Sequence, residues 1–272
     1  MIANRPLNDA EFLSALEWYR AAGVDFAMGE EPVDRFAASR VAPRAKVPER
    51  TAPVAAPQQI APQPGAALVA DPSEARALAA SATTLDELRS IMDAYDGCGL
   101  KLRATQLAFS DGNPEAKIML VGEAPGQEED RVGKPFVGKA GQLLDRMLAA
   151  IGLDRTKVYI CNTVPWRPPG NRNPSPQEMA ACQPFLHRQI ELVAPKILLT
   201  LGAVSSQALF ETTTGITRLR GQWRPLTIGT HEMQAVATLH PAYLLRTPSA
   251  KAQVWRDMLS LKQKMREAGI EG

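Results

Sequence analysis

The sequence predicts an α/β domain of three layers, α/β/α, around a central four-stranded parallel sheet. Two observations carry this expectation. Four short apolar runs, KIMLVGEAPG (117–126), KVYICNTVPW (157–166), KILLTLGA (196–203) and QAVATLHP (234–241), each stop at a loop signal. Segments of helical periodicity lie between them: Leu143, Leu144, Met147, Leu148 and Ile151 share one face of GQLLDRMLAAIGL, and EMAACQPFLHRQIELV behaves similarly. Strands that are apolar along their whole length are buried on both faces, which calls for a parallel sheet covered by helices on each side.

Taken in order, the 272 residues divide into three zones. Residues 1–35 form an N-terminal helical segment, because Phe12, Leu16, Trp18 and Tyr19 fall near helical spacing behind an Asn8 or Asp9 cap. Residues 36–71 read as a disordered linker, rich in Pro and Ala, whose prolines at 43, 48, 53, 57, 62 and 64 block helix and ladder alike. Residues 72–272 form the compact domain. It opens with two helices, 72–79 and 85–94, before the first apolar run.

Composition excludes several classes. Hydrophobic and charged shares of 45% and 22% are those of a soluble globular chain. The net charge of +2 implies no polyanion partner by itself, so any nucleic-acid site must come from local clustering. No apolar run approaches the roughly 20 residues of a membrane span, and the N-terminus lacks the pattern of a secretory signal. Three cysteines, Cys98, Cys161 and Cys182, favour a reducing cytoplasm over a disulfide framework. The chain is expected to be a cytoplasmic monomer.

The stretch from Gly133 to Ala140, GKPFVGKA, matches a phosphate-binding P-loop at seven of eight positions. It ends in Ala140, which has no hydroxyl for Mg²⁺, and Pro135 removes a backbone donor, so a nucleotidase is disfavoured. Ligands of open α/β sheets bind beyond the carboxyl ends of the strands. Three of the four apolar runs stop there at a polar residue: Glu123, Asn162 and His240. A single pocket holding all three is the expectation.

Three segments, VGEAPGQEEDRVGKPFVGKAGQLLDRMLAAIGLDR, YICNTVPWRPPGNRNPSPQEMAAC and LHPAYLLRTPSAK, occur in the order seen in the family 4 bacterial and archaeal uracil-DNA glycosylases. The resemblance runs from about Leu88 to Lys264 and implies a uracil-DNA glycosylase-like fold. It implies further that uracil-containing DNA is the partner, that a flipped-out deoxyuridine is hydrolysed to uracil and an abasic site, and that the reaction serves base-excision repair. By the same resemblance the base pocket is lined by Gly122, Ala124, Gly126 and Phe136, whose ring stacks on uracil; a core position is the alternative for Phe136. His240 is implied as a hydrogen-bond donor to uracil O2, and Asn162 as the reader of the O4 and N3–H edge. Glu123 is implied as the group that orients water or supports the sugar cation, with Glu129 and Asp130 as secondary choices. Lys134, Lys139, Arg167, Arg172, Arg218, Arg220 and Arg246 are expected at the rim for DNA phosphates, and Leu244, Leu245 or Arg246 in the gap left by the base. Among the histidines, His187 is expected on a helix face and His231 in a polar turn.

The family pattern also implies a [4Fe–4S] cluster held by four cysteines. Here only Cys98 and Cys182 stand at those positions; Tyr95 and Trp166 replace the other two. Two missing thiolates argue against a standard cluster, and aromatic packing is expected in its place. No cofactor is required for the chemistry. The rival functional class is a non-catalytic or trapping relative that binds uracil-containing DNA; LLRTPSAKAQVW lacks the histidine-bearing loop insertion through which some relatives crosslink to DNA, which argues for turnover. The N-terminal zone is a possible contact for a repair or replication protein.

Overall fold

The computed structural model describes residues 72–270, so the N-terminal helix and linker expectations lie outside the described residues. Two helices, α1 (Pro72–Ser81) and α2 (Leu85–Ala94), come first, close to their predicted bounds. Thr84 caps α2 by accepting the Glu87 N–H at 3.2 Å. The sheet strands follow as β1 (Asp111–Gly112), β2 (Ile118–Gly122), β3 (Tyr159–Asn162), β4 (Ile197–Leu201), β5 (Arg224–Ile228) and β6 (His231–Thr238).

The sheet has six strands rather than four, in the order β1-β3-β2-β4-β6-β5. The four inner strands are the predicted parallel set, with Leu120 beside Ile160 and Leu199, and Leu199 beside Val236. The two edge strands are antiparallel and escaped the sequence reading for physical reasons. β1 is two residues long, and β5 exposes alternate residues and carries Pro225, so neither is a continuous apolar run. β5 joins β6 through a two-residue turn in which Gly229 takes φ 58°, the left-handed geometry such hairpins need. His231 therefore opens a strand instead of lying in a turn, with its Nε2 2.8 Å from the Pro195 carbonyl.

Alternation along β2 divides the core. Ile118 and Leu120 face α4 (Lys139–Ala149) and α9 (Lys251–Glu267), packing with Leu144, Leu148, Met258 and Leu261. Met119 and Val121 face α5 (Pro176–Val193), packing with Tyr159, Cys161, Leu186 and Ile190. α5 is started by a capping box in which Ser175 and Glu178 satisfy one another's backbone N–H groups at 2.7 and 3.2 Å. His187 sits on this helix, partly buried, and burial lowers its pKa. A third cluster joins α1, α2 and α5 to the loops before β1 and after β3. The short helices α3 (Gln127–Val132), α6 (Ala203–Phe210), α7 (Ile216–Leu219) and α8 (Pro241–Arg246) complete the order. Because β2, β3, β4 and β6 run the same way, their carboxyl ends lie together, and the loops that leave them meet.

Candidate active site

Glu123, Asn162, Phe136 and His240 line one cavity of about 360 Å³ at that edge, together with Ala124, Gly126, Glu129, Ala140, Arg172 and Arg246. Its floor is the end of β2. A Cβ on Gly122 would lie 2.6 Å from the Phe136 ring and would overlap the Asn162 amide, so hydrogen at this position lets ring and amide meet. The Phe136 and His240 rings lie 5.5 Å apart between centroids, tilted by 31°.

Phe136 is 5% exposed and adopts φ 56°, a left-handed conformation that costs a non-glycine residue on the order of 1–3 kcal/mol. Its surroundings enforce it. The Phe136 carbonyl points at Gly141, where any Cβ would collide with it. That carbonyl also accepts from the Arg155 guanidinium, which is paired at the same time with Asp111 and with Asp145 (2.8 Å). On the other side of the loop, Glu129 accepts from the N–H groups of Gly126 (3.1 Å), Val137 (2.9 Å) and Gly138 (2.8 Å). The donors a P-loop would offer to phosphate are thus occupied by a protein carboxylate, which removes the nucleotide reading.

Glu129 lines the same cavity, but its two oxygens are already committed to three backbone N–H groups. Asp130 is likewise structural: it is buried and accepts from the Thr105 N–H (2.7 Å) and hydroxyl (3.0 Å). Glu123 differs from both. No side-chain hydrogen bond holds it among the described residues, and burial raises its pKa. A carboxylate that is desolvated and unpaired in a cleft has the character of a reacting group.

His240 caps α8, accepting the Ala242 N–H on Nδ1 at 3.1 Å. This fixes the tautomer, so the proton sits on Nε2. Burial, then the positive charge of Arg246, pushes its pKa down to about 4. The imidazole is therefore a neutral donor throughout the physiological range. Asn162 is 5% exposed, and its Oδ1 is buried with no hydrogen-bond partner. An orphaned acceptor of this kind costs about 1–3 kcal/mol unless a ligand donates to it.

The rim residues separate once placed. Arg246 and Arg172 line the cavity; Arg172 is held by Glu178 at 2.6 Å, whereas Arg246 forms no ion pair among the described residues. Lys139 is exposed at the start of α4, and Lys134 is exposed but paired with Asp111 at 3.1 Å. Arg167 bonds Asn171 at 2.7 Å, and Arg218 is exposed on α7. Arg220 is committed elsewhere: it is paired with the buried Asp257 at 2.6 Å, and Asp257 also accepts from Thr238. Its expected rim role gives way to tying α7 and β6 to α9. Leu244 is 1% exposed in the core, so it is no intercalating side chain here, while Leu245 (43%) and Tyr243 (41%) face outward. Tyr243, Arg155 and Gly141 were missed by the sequence reading. Glu129, a secondary choice there for orienting water, instead braces the loop and closes a capping box three positions after Gly126.

Four thiolates are needed for a cubane cluster, and the residues present do not supply them. Cys98 and Cys182 share the third core cluster with Tyr95 and Trp166, all four buried. Cys161 belongs to a different cluster, between the sheet and α5, and burial raises its pKa strongly. No group of three or more His, Cys, Asp or Glu side chains among the described residues could hold a metal ion.

Residues 109–259 match the model of the uracil DNA glycosylase superfamily. The Type-4 uracil-DNA glycosylase of Thermotoga maritima is 43% identical over 153 residues, which is 56% of this chain and 78% of that protein. The Type-4 enzyme of Archaeoglobus fulgidus is 40% identical over 63% of this chain and 88% of its own length. A Type-5 uracil-DNA glycosylase from Thermus thermophilus is 33% identical over 36% of this chain and 51% of its own length.

Proposed function

Because the chain belongs to the uracil DNA glycosylase superfamily, we propose that it hydrolyses the N-glycosidic bond of a deoxyuridine flipped out of DNA, releasing uracil and leaving an abasic site in base-excision repair. The observation that carries this reading is the meeting of an aromatic face, an orphaned acceptor and a neutral imidazole donor in one cavity. A flat pyrimidine stacks on Phe136. Its N3–H donates to Asn162 Oδ1 and its O4 accepts from the same amide; cytosine presents the reverse pattern and leaves the buried amide mispaired.

As the C1′–N1 bond breaks, its electron pair leaves on uracil and the sugar becomes cationic. His240 Nε2–H donates to O2 and stabilises the developing anion. The Glu123 carboxylate orients a water whose oxygen bonds to C1′, accepts the proton that this water loses and passes it through solvent to the uracil anion. Backbone phosphates are held by Arg172, Arg246 and Lys139, contacts that position the duplex without reading sequence. Leu245 or Tyr243, both exposed on α8, fills the vacated stack. Among the described residues, no helix is long and apolar enough to cross a membrane.

The test is incubation with uracil-containing and cytosine-containing duplexes, followed by alkaline strand cleavage. Cleavage at uracil alone is expected, with many turnovers per enzyme; stoichiometric, covalently retained DNA would favour the trapping relative. The pH profile follows from the two shifted groups. Glu123 is active as the anion and its pKa is raised, so activity is lost as pH falls through a value above 4.5. His240 is active as the neutral base and its pKa is lowered, so its contribution is lost only near pH 4. Glu123 therefore sets the acid limb, no step is expected near 6.5, and Glu123→Gln should reduce the rate and remove that acid limb. A step near 6.5 that vanishes in a His240 variant would overturn the neutral-donor assignment.

Arg155→Lys tests the bracing of the stacking loop. One ammonium cannot serve Asp111, Asp145 and the Phe136 carbonyl together, and a charge-assisted hydrogen bond contributes about 1.5–3 kcal/mol, so kcat/KM should fall by about tenfold or more. Affinity for uracil-free duplex should stay unchanged; an equal fall in both would mean a general loss of fold.

A further inference from the structure

We propose that this protein is a cluster-free member of its family, in which Tyr95 and Trp166 fill the volume of an iron–sulfur centre and Cys98 and Cys182 survive as a buried dithiol pair. The claim rests on the core beneath the domain's first helices and is independent of the uracil reading of the cavity.

Ligand inventory comes first. A cubane needs four soft anionic donors. Cys98 (2% exposed) and Cys182 (0%) are free thiols buried in the same cluster, and their nearness lowers the pKa of Cys98 and raises that of Cys182. Trp166 offers only an indole N–H, a donor with no lone pair for a metal. Tyr95 offers a phenol whose pKa burial and the nearby cysteines push up to about 12, so it stays protonated. Cys161 packs with Met119, Tyr159, Leu186 and Ile190 in a separate cluster between the sheet and α5, apart from the cluster that holds Cys98 and Cys182.

Volume comes second. Trp166 is 2% exposed and Tyr95 is 4% exposed, and both pack with the two thiols and Phe185 in one continuous cluster. The Tyr95 and Phe185 rings lie 4.9 Å apart at 54°, a tilted aromatic contact of the favourable kind. Aromatic side chains at two ligand positions thus replace inorganic bulk with apolar bulk in a core that tolerates few voids.

The replacement also has a mechanical consequence. Trp166 ends the segment that follows β3 and precedes Pro168, Asn171 and Arg172 on the cavity wall. In a cluster enzyme a metal–sulfur bond would hold that segment at this position; here aromatic packing does.

Iron and sulfide are measured on protein purified without oxygen, and again after incubation with ferrous iron, sulfide and thiol. Neither is expected, nor is the broad visible absorption of a cluster, and a strong iron chelator should leave excision unchanged. A wild-type protein that takes up about four irons per chain overturns the proposal. The Tyr95→Cys/Trp166→Cys double variant restores four thiolates and should gain iron and colour under the same incubation. If the double variant folds by circular dichroism yet stays colourless, the placement of Tyr95 and Trp166 at ligand positions is wrong.

Discussion

His240→Ala should lower the excision rate by about 10²–10³-fold, the usual effect of removing one fixed donor from a developing anion. The reasoning starts from the cap. The Ala242 N–H occupies Nδ1, so the only ring proton projects from Nε2. With the pKa held near 4, no charge must be moved or screened when uracil takes up the electron pair. The loss should appear in the single-turnover rate more than in KM, because the hydrogen bond strengthens as the bond breaks. His240→Asn keeps a capping acceptor for Ala242 while shortening the reach toward the base. It should fold like wild type and still be slow. An unimpaired His240→Asn would show that the side chain matters for its cap and not for the leaving group.

Gly122→Ala should cost about 10²-fold in kcat/KM, because a displacement of about 1 Å in the reacting geometry is enough for such a loss. The added methyl meets the Phe136 ring at 2.6 Å and overlaps the Asn162 amide, so at least one base-contacting group has to retreat. Gly122 closes a strand buried along its whole length, and the clash involves two side chains rather than backbone, so folding should survive. Gly215→Ala is the control: its Cβ would enter open space at an ordinary backbone angle, and both activity and melting temperature should hold. If Gly122→Ala excises uracil at the wild-type rate, the ring and amide are not the groups that grip the base.

The polar residues of the cavity were legible in the chain because strand ends are legible. An apolar run that stops at Glu123, Asn162 or His240 announces both the sheet edge and the side chain that leaves it. The residues that aim those groups were not. Arg155 reaches the Phe136 carbonyl from beyond the next helix, and Glu129 gathers N–H groups from two loops. The capping-box spacing marks only the bond from Glu129 to Gly126; its bonds to Val137 and Gly138, and the reach of Arg155, follow no period that one dimension shows. Sidedness failed for the same reason: Leu244 and Leu245 are equivalent as letters, and the packing of α8 on α4 buries one and exposes the other. Arg220 looked like a rim cation until α9 brought Asp257 against it.

By itself, then, the sequence determined the three-layer parallel core, the edge at which the cavity opens, the identity of the polar groups there and a cysteine count of three. Those properties are written in hydrophobic period and residue type, which are local. Tertiary structure alone decided the two antiparallel edge strands, the left-handed Phe136, the tautomer of His240, and which cations and leucines stay exposed. Each of these depends on groups far apart in the chain competing for the same hydrogen bonds and the same buried volume, and that competition is settled only when the elements pack.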